Sequence, residues 1–281
     1  MYANPLEYLI DARKNGYAIG AFNIENMEMV QAIARAAFEL RAPLMMQTTP
    51  STVKYGGLSY CAANVKTAAE LNDIPITLHL DHCEDYDAAC EAMRCGYNSV
   101  MIDGSKLPFE DNIALTRKTV EFASALGIPV EAELGTLAGK EDGLVSETSG
   151  FTDPDEAVEF VERTGISSLA VSIGTAHGLY KGEPKINIPL LEEIAKRVSI
   201  PLVLHGGSGL PDDIIKECIR HGISKVNYAT ELRIAFSDGV REVIAADSEV
   251  FDPKKYMAVG RERVAELVRG RIELFGSRNK I

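Results

Sequence analysis

What most narrows the possible folds of this chain is a repeat of pattern rather than of sequence. A short apolar run, a polar or glycine-bearing turn and an amphipathic stretch follow one another again and again. The runs begin at Tyr17 (YAIGAFNI), Pro43 (PLMMQTT), Ile76 (ITLHLDH), Ser99 (SVMIDGS), Pro129 (PVEAELG), Ser168 (SLAVSIG), Pro201 (PLVLHGG) and Lys225 (KVNYAT). Near-continuous apolar strands alternating with helices imply a parallel sheet buried on both faces. Eight such units are the count of a closed (β/α)₈ barrel. Pro43, Pro75, Pro129 and Pro201 end the preceding helices and open extended chain. Helices are predicted over 28–40, 84–95, 110–126, 155–164, 189–197 and 212–221, with an extra N-terminal helix over 4–14 and a C-terminal helical extension after the eighth run. An open doubly wound sheet is the alternative. No G-x-G-x-x-G follows the first strand, so a dinucleotide site has no support.

Composition bounds the rest. With 281 residues, 46% hydrophobic and 25% charged, the chain can bury a large core. No linker or low-complexity segment divides it, so one domain over 1–281 is expected. Lys and Arg number 29 against 41 Asp and Glu, a net charge of −12 that argues against nucleic acid or an anionic membrane as the main partner. Five cysteines, an odd number without C-x-x-C, fit reduced thiols better than disulfides. Glu7 and Asp11 interrupt the N-terminal segment, and no apolar run approaches the roughly 20 residues of a membrane span, so a cytoplasmic protein is expected.

In the eight-strand reading the strand ends carry Asn23, Thr48 and Thr49, Asp81 and His82, Asp103, Glu131 and Glu133, His177, His205, and Asn227 to Thr230. These positions are distant in sequence yet converge on the carboxyl rim of a barrel, where active sites form. Three imidazoles there, His82, His177 and His205, have the makings of a catalytic metal site with one position open for substrate. Asp81 stands beside them as a candidate acid or base. His79 shares the face of Asp81 deeper in the strand and reads as a satisfied core histidine, while His221 reads as a solvent-facing helix cap.

After His205 comes Gly206-Gly207-Ser208-Gly209 and a helix. Glycines let backbone N–H groups approach an anion, and the loops after strands seven and eight are the frequent phosphate site of barrels. Gly178 follows His177 in the same manner, and Tyr228, Ala229 and Thr230 add donors. Two longer stretches, 136–152 and 175–187, read as candidate lids or as inert decoration. A metal Lewis acid beside a phosphate cradle suits a phosphorylated ketose and carbon–carbon cleavage. A Schiff base would need a lysine inside the barrel near a strand end; Lys225 at the start of strand eight and Lys106 past strand four fit this poorly.

The order LHLDH, VEAELG, AHG and LHGGSG, with YAIGAFNIEN, GTLAGKEDG, KVNYATELRIAF and the closing FGSRNKI, resembles class II, zinc-dependent ketose-bisphosphate aldolases nearly end to end, most closely the tagatose-bisphosphate branch. The resemblance implies a TIM barrel, Zn²⁺ and a homodimer or homotetramer, with a possible accessory subunit. By position it makes Asp81 the proton donor and acceptor, and Glu141 a second proton carrier. His82, His177 and His205 become zinc ligands, Glu133 an alternative ligand and Asp103 an acid beside them. It assigns Gly178, Gly206, Gly207, Ser208 and Asn227 to Thr230 to phosphate binding, with a monovalent cation (Na⁺ or K⁺) nearby, and Asn23 and Thr49 to the substrate. Near the C-terminus Lys254 stands where relatives carry an arginine that reaches the distal phosphate from a neighbouring subunit. The substrate implied is tagatose 1,6-bisphosphate first, with fructose 1,6-bisphosphate or another ketose 1-phosphate as alternatives. A non-catalytic barrel subunit and a sugar-phosphate epimerase or isomerase are the rival readings.

Overall fold

The computed structural model describes residues 1–136, 138–141, 144–146, 150–180 and 182–281, with 138–141 and 144–146 described by their backbone. Its strands are β1 (Ile19–Asn23), β2 (Leu44–Thr48), β3 (Ile76–Cys83), β4 (Ser99–Ile102), β5 (Val130–Leu134), β6 (Ala138–Glu141), β7 (Leu144–Ser146), β8 (Ser168–Val171), β9 (Ala176–His177), β10 (Leu202–Leu204) and β11 (Ile223–Tyr228). Eight of them close a parallel barrel in the order β1-β2-β3-β4-β5-β8-β10-β11. The expected (β/α)₈ barrel is therefore the fold. The stretches read as loops are more ordered than that: β6, β7 and β9 pair with one another as a small separate sheet.

The helices are α1 (Leu6–Asn15), α2 (Met27–Leu40), α3 (Pro50–Gly56), α4 (Leu58–Leu71), α5 (Tyr86–Cys95), α6 (Phe109–Ser124), α7 (Pro154–Thr164), α8 (Ile188–Arg197), α9 (Asp212–Arg220), α10 (Thr230–Ala246) and α11 (Pro253–Phe275). Short polar residues start several of them: Asn26 accepts from the Met29 N–H, Asp85 from Ala88, and Asp153 from Asp155 and Glu156. Glycines in the left-handed region end others, at Gly16, Gly96, Gly165 and Gly276.

Alternation along the strands sorts side chains into two cores. Leu44, Met46, Leu78, Leu80, Val100, Ile102, Leu202 and Leu204 face outward and pack under the helices. Burying each such side chain is worth about 1.5–3 kcal/mol. Inside, the amino end is closed by Leu9 and Ala12 of α1 against Ile19, Ala21 and Met45. Above that apolar plug the interior turns polar, with His79, Ser99, Glu131, Ser168 and Lys225 all buried. The eighth barrel strand starts at Ile223, two residues before the expected Lys225. Lys225 is thus mid-strand and inside the barrel, a correction to its reading as a strand-opening residue. α11, the C-terminal extension, packs along α2 and α10.

Candidate active site

Along β3, His79 and Asp81 point into the barrel while Leu78 and Leu80 point out. A regular strand would send His82 outward as well. Its φ is instead 47°, in the left-handed region, and the pairing with β4 shifts register between Leu80 and Cys83. Such a break costs about 1–3 kcal/mol and is a mark of functional sites. It swings the His82 ring over the barrel mouth, where Nε2 lies 2.8 Å from His205 Nδ1. His205 directly follows β10, and His177 ends β9 with its ring 5.0 Å from that of His82. One ring nitrogen from each of the three histidines lies within 4.8 Å of the other two.

The far side of two rings shows what the near side can do. His82 Nδ1 is 3.0 Å from Asp103 Oδ2, and His205 Nε2 is 3.0 Å from Glu131 Oε1. An ionised carboxylate only accepts, so these nitrogens carry the protons, and in the neutral imidazoles the facing nitrogens present lone pairs. Two lone pairs 2.8 Å apart repel, and a cation between them removes the repulsion. This donor set, imidazoles oriented by carboxylates, fits a zinc ion. Both carboxyls are buried, which by itself would raise their pKa. Hydrogen bonds from His82 and Ser105 outweigh this at Asp103, and Lys225 and His205 do so at Glu131, leaving both below the usual carboxylate range. Glu133 Oε2 stands 3.5 Å from His205 Nδ1 and 3.9 Å from His82 Nδ1. A second cluster, His79 with Asp81 and Glu131, is filled by the protein itself. Lys225 Nζ sits there, 2.8 and 3.0 Å from the Glu131 oxygens and 3.4 Å from His79 Nε2.

Asp81 is fully buried and held from two sides. Gln47 Nε2 donates to Oδ2 at 2.7 Å, and Asn227 Nδ2 to Oδ1 at 3.1 Å. Gln47 also donates to Asn23 Oδ1 at 2.8 Å. Three amide atoms of this group, Asn23 Nδ2, Gln47 Oε1 and Asn227 Oδ1, are buried without a hydrogen-bond partner among the described residues, as is Thr175 Oγ1. Buried polar atoms in this state leave hydrogen-bonding capacity for water or a bound molecule.

Against known proteins, the family model for class II fructose-bisphosphate aldolase matches residues 3–280. The chain belongs to the class II fructose-bisphosphate aldolase family. The aldolase is 44% identical over 277 residues to the fructose-bisphosphate aldolase of Staphylococcus aureus (strain Mu50), covering 98% of this chain and 97% of that one. It is 43% identical over 277 residues to the probable fructose-bisphosphate aldolase of Bacillus subtilis (strain 168), again covering 98% and 97%. Among solved structures, the YdjI aldolase of Escherichia coli K12 superposes with a TM-score of 0.90 at 38% identity, covering 100% of this chain and 99% of that one.

Around the aldolase's histidines the glycines take strained or crowded positions. Gly178 has φ 91° and Gly206 φ 69°. A Cβ on Gly207 would fall 2.7 Å from the Asn227 carbonyl. Ser208 Oγ accepts from the Ala229 and Glu231 N–H groups at 3.3 and 3.4 Å, at the start of α10, where Thr230 is the first residue. Tyr228 does not bring its hydroxyl to the rim: its side chain faces the outer core, under Arg271 and beside Phe275. Of the donors expected at Tyr228, its backbone alone is available there. Thr49 lies with Ser51 and Thr52, its Oγ1 3.2 and 3.3 Å from their hydroxyls. Lys254, exposed in the first turn of α11, pairs with Asp252 at 2.8 Å rather than with a rim residue among those described. The side chain of Glu141 lies outside the described residues; its backbone ends β6.

Sequence reasoning passed over Gln47, which touches Asp81, and Tyr180, whose hydroxyl bridges Ala176 and Gly206. The signal for Gln47 was available, a polar amide inside an apolar run at the inward parity of Met45. His79 is bonded to Ser99 at 2.7 Å and fully buried, and His221 stands at the C-cap of α9 with its ring 3.1 Å from Glu217.

Proposed function

We propose that the enzyme is a zinc-dependent aldolase that reversibly splits a ketose 1,6-bisphosphate, fructose 1,6-bisphosphate foremost, into dihydroxyacetone phosphate and glyceraldehyde 3-phosphate. The observation that carries this reading is the convergence of His82, His177 and His205 within 4.8 Å beside the buried Asp81. His82, His177 and His205 would hold the zinc ion, with Glu133 near enough to join, and the ion would supply Lewis-acid polarisation of the ketose carbonyl. Asp81 takes the proton from the substrate hydroxyl whose carbon becomes the aldehyde, and returns it in condensation. Gln47 and Asn227 fix that carboxylate, so its reach to the hydroxyl is set before substrate arrives. Asn23 Nδ2, Gln47 Oε1 and Asn227 Oδ1 receive neighbouring sugar hydroxyls. The glycines from Gly206 to Gly209, with Gly178 and the α10 N-terminus, receive the phosphate shared by all ketose 1-phosphates, beside which a monovalent cation belongs to the same reading. Glu141 would carry the proton at the carbon that stays with the triose.

The tagatose preference implied by resemblance has no support beyond it, since the relatives at 43–44% identity are named for fructose bisphosphate. Lys254 favours a second reading at the distal end only. In a homodimer or homotetramer it would reach the neighbouring site with a point charge where an arginine would offer a bidentate fork. A ketose 1-phosphate with a different distal group is then a substrate as well. Triose phosphate release from fructose 1,6-bisphosphate, tagatose 1,6-bisphosphate and fructose 1-phosphate, measured in parallel, tests both readings. Fastest release from fructose 1,6-bisphosphate is expected. A faster tagatose reaction reverses the C4 assignment, comparable release from fructose 1-phosphate shows that the distal phosphate is not read, and no release from any of them contradicts the aldolase reading.

A further inference from the structure

His82 is the penultimate residue of a barrel strand and His205 directly follows one, whereas His177 lies on β9, which is hydrogen-bonded to β6 of the rim sheet and is not part of the barrel. A contact outside the barrel sheet must therefore fix His177 relative to the other two. Tyr180 makes such a contact. Its hydroxyl accepts from the Ala176 N–H at 3.0 Å and donates to the Gly206 carbonyl at 2.9 Å. Ala176 immediately precedes His177, and Gly206 immediately follows His205. One oxygen thus bridges the backbone flanking two of the three histidines. The segments are in close contact at this point, since a Cβ on Gly206 would lie 2.4 Å from the Ala176 carbonyl oxygen. The ring of Tyr180 packs against the outer core, so the bridge is anchored at its other end. Burial pushes the phenol up to about 12, and the hydroxyl keeps the proton it donates.

We propose that Tyr180 is a positioning residue of the metal site, its hydroxyl setting the separation of His177 from His205; this rests on reading the three histidines as metal ligands. The bland alternative is a hydroxyl that merely satisfies two backbone groups. Tyr2 provides the control, because its hydroxyl also donates to a backbone carbonyl, that of Gly96, and Tyr2 pairs with Ile76 at the opposite end of β3 from His82. Metal-free wild type, Tyr180→Phe and Tyr2→Phe are compared by zinc affinity against a chromophoric chelator, by the d–d absorption of the cobalt(II) form, and by Tm without metal. In Tyr180→Phe a loss of zinc affinity of about 10- to 100-fold, the range seen for groups that orient metal ligands, and a changed cobalt spectrum are expected. Tyr2→Phe keeps wild-type affinity and spectrum even where its Tm falls as far. Wild-type affinity and spectrum in Tyr180→Phe overturn the proposal alone, and so does an equal loss of affinity in both variants. A wild-type protein that binds no zinc overturns the three-histidine reading and the proposal with it.

Discussion

Asp81 accepts a hydrogen bond on each carboxylate oxygen and stands beside the three-histidine set, so its removal separates proton transfer from metal binding. Asp81→Ala is predicted to lower kcat by about 10²- to 10⁴-fold with zinc content unchanged; near-wild-type turnover would take Asp81 out of the mechanism. Lys225→Met leaves Glu131 a buried carboxylate without its lysine counter-charge, and a loss of about 3–5 kcal/mol is expected in denaturant unfolding. An unchanged midpoint would mean that the pair contributes nothing. The convergence of Asp81, His82, His177 and His205 on one rim was legible in sequence because each follows an apolar run, and the strand count puts such ends together. The orientation of His82 was not, since it depends on a left-handed φ in a non-glycine residue, against the alternation that the sequence displays. Lys225 was misplaced for a related reason. A lysine in an apolar run looks like a boundary, and only the Glu131 opposite makes it a core residue.

The rim sheet shows where pattern reading stops at the scale of elements. β6, β7 and β9 are two to four residues long, and β6 carries glycine, lysine and glutamate rather than β-branched residues. β6 and β7 pair locally, but β9 joins β6 from the other stretch, so nothing in the 175–187 stretch alone distinguishes strand from loop. What the sequence did show is the glycine at the joint. Gly206 has φ 69°, and a side chain there would strike Ala176. Gly206→Ala is predicted to push β9 away from the end of β10, lowering Tm and weakening zinc binding at least about tenfold. Calorimetry with a chelator competition checks both, and unaltered zinc affinity would show that the spacing tolerates the methyl group.

Across the whole molecule the eightfold pattern predicted the barrel because parallel strands need apolar faces on both sides, a demand that no local accident imitates eight times. The polar interior beneath the site has a pH signature. Burial, reinforced by Lys225 at His79 and by His82 at His205, holds both imidazoles below their ordinary value. Between about pH 7 and about pH 5 the unfolded chain takes up protons that the folded one refuses, so stability rises with pH there and falls on acidification. Asp103 and Glu131, depressed in the fold, lose their contribution only below about pH 4, where the unfolded carboxyls protonate. The Tm of the metal-free enzyme is therefore predicted to decline from about pH 7 to about pH 5, and less steeply in His79→Gln; equal slopes would exclude His79. Most direct is dihydroxyacetone phosphate release from fructose 1,6-bisphosphate by the enzyme as purified, after chelation, and after one equivalent of zinc is restored. Cleavage lost on chelation and recovered with zinc is the predicted result, whereas cleavage that persists without metal would contradict a reaction built on His82, His177 and His205.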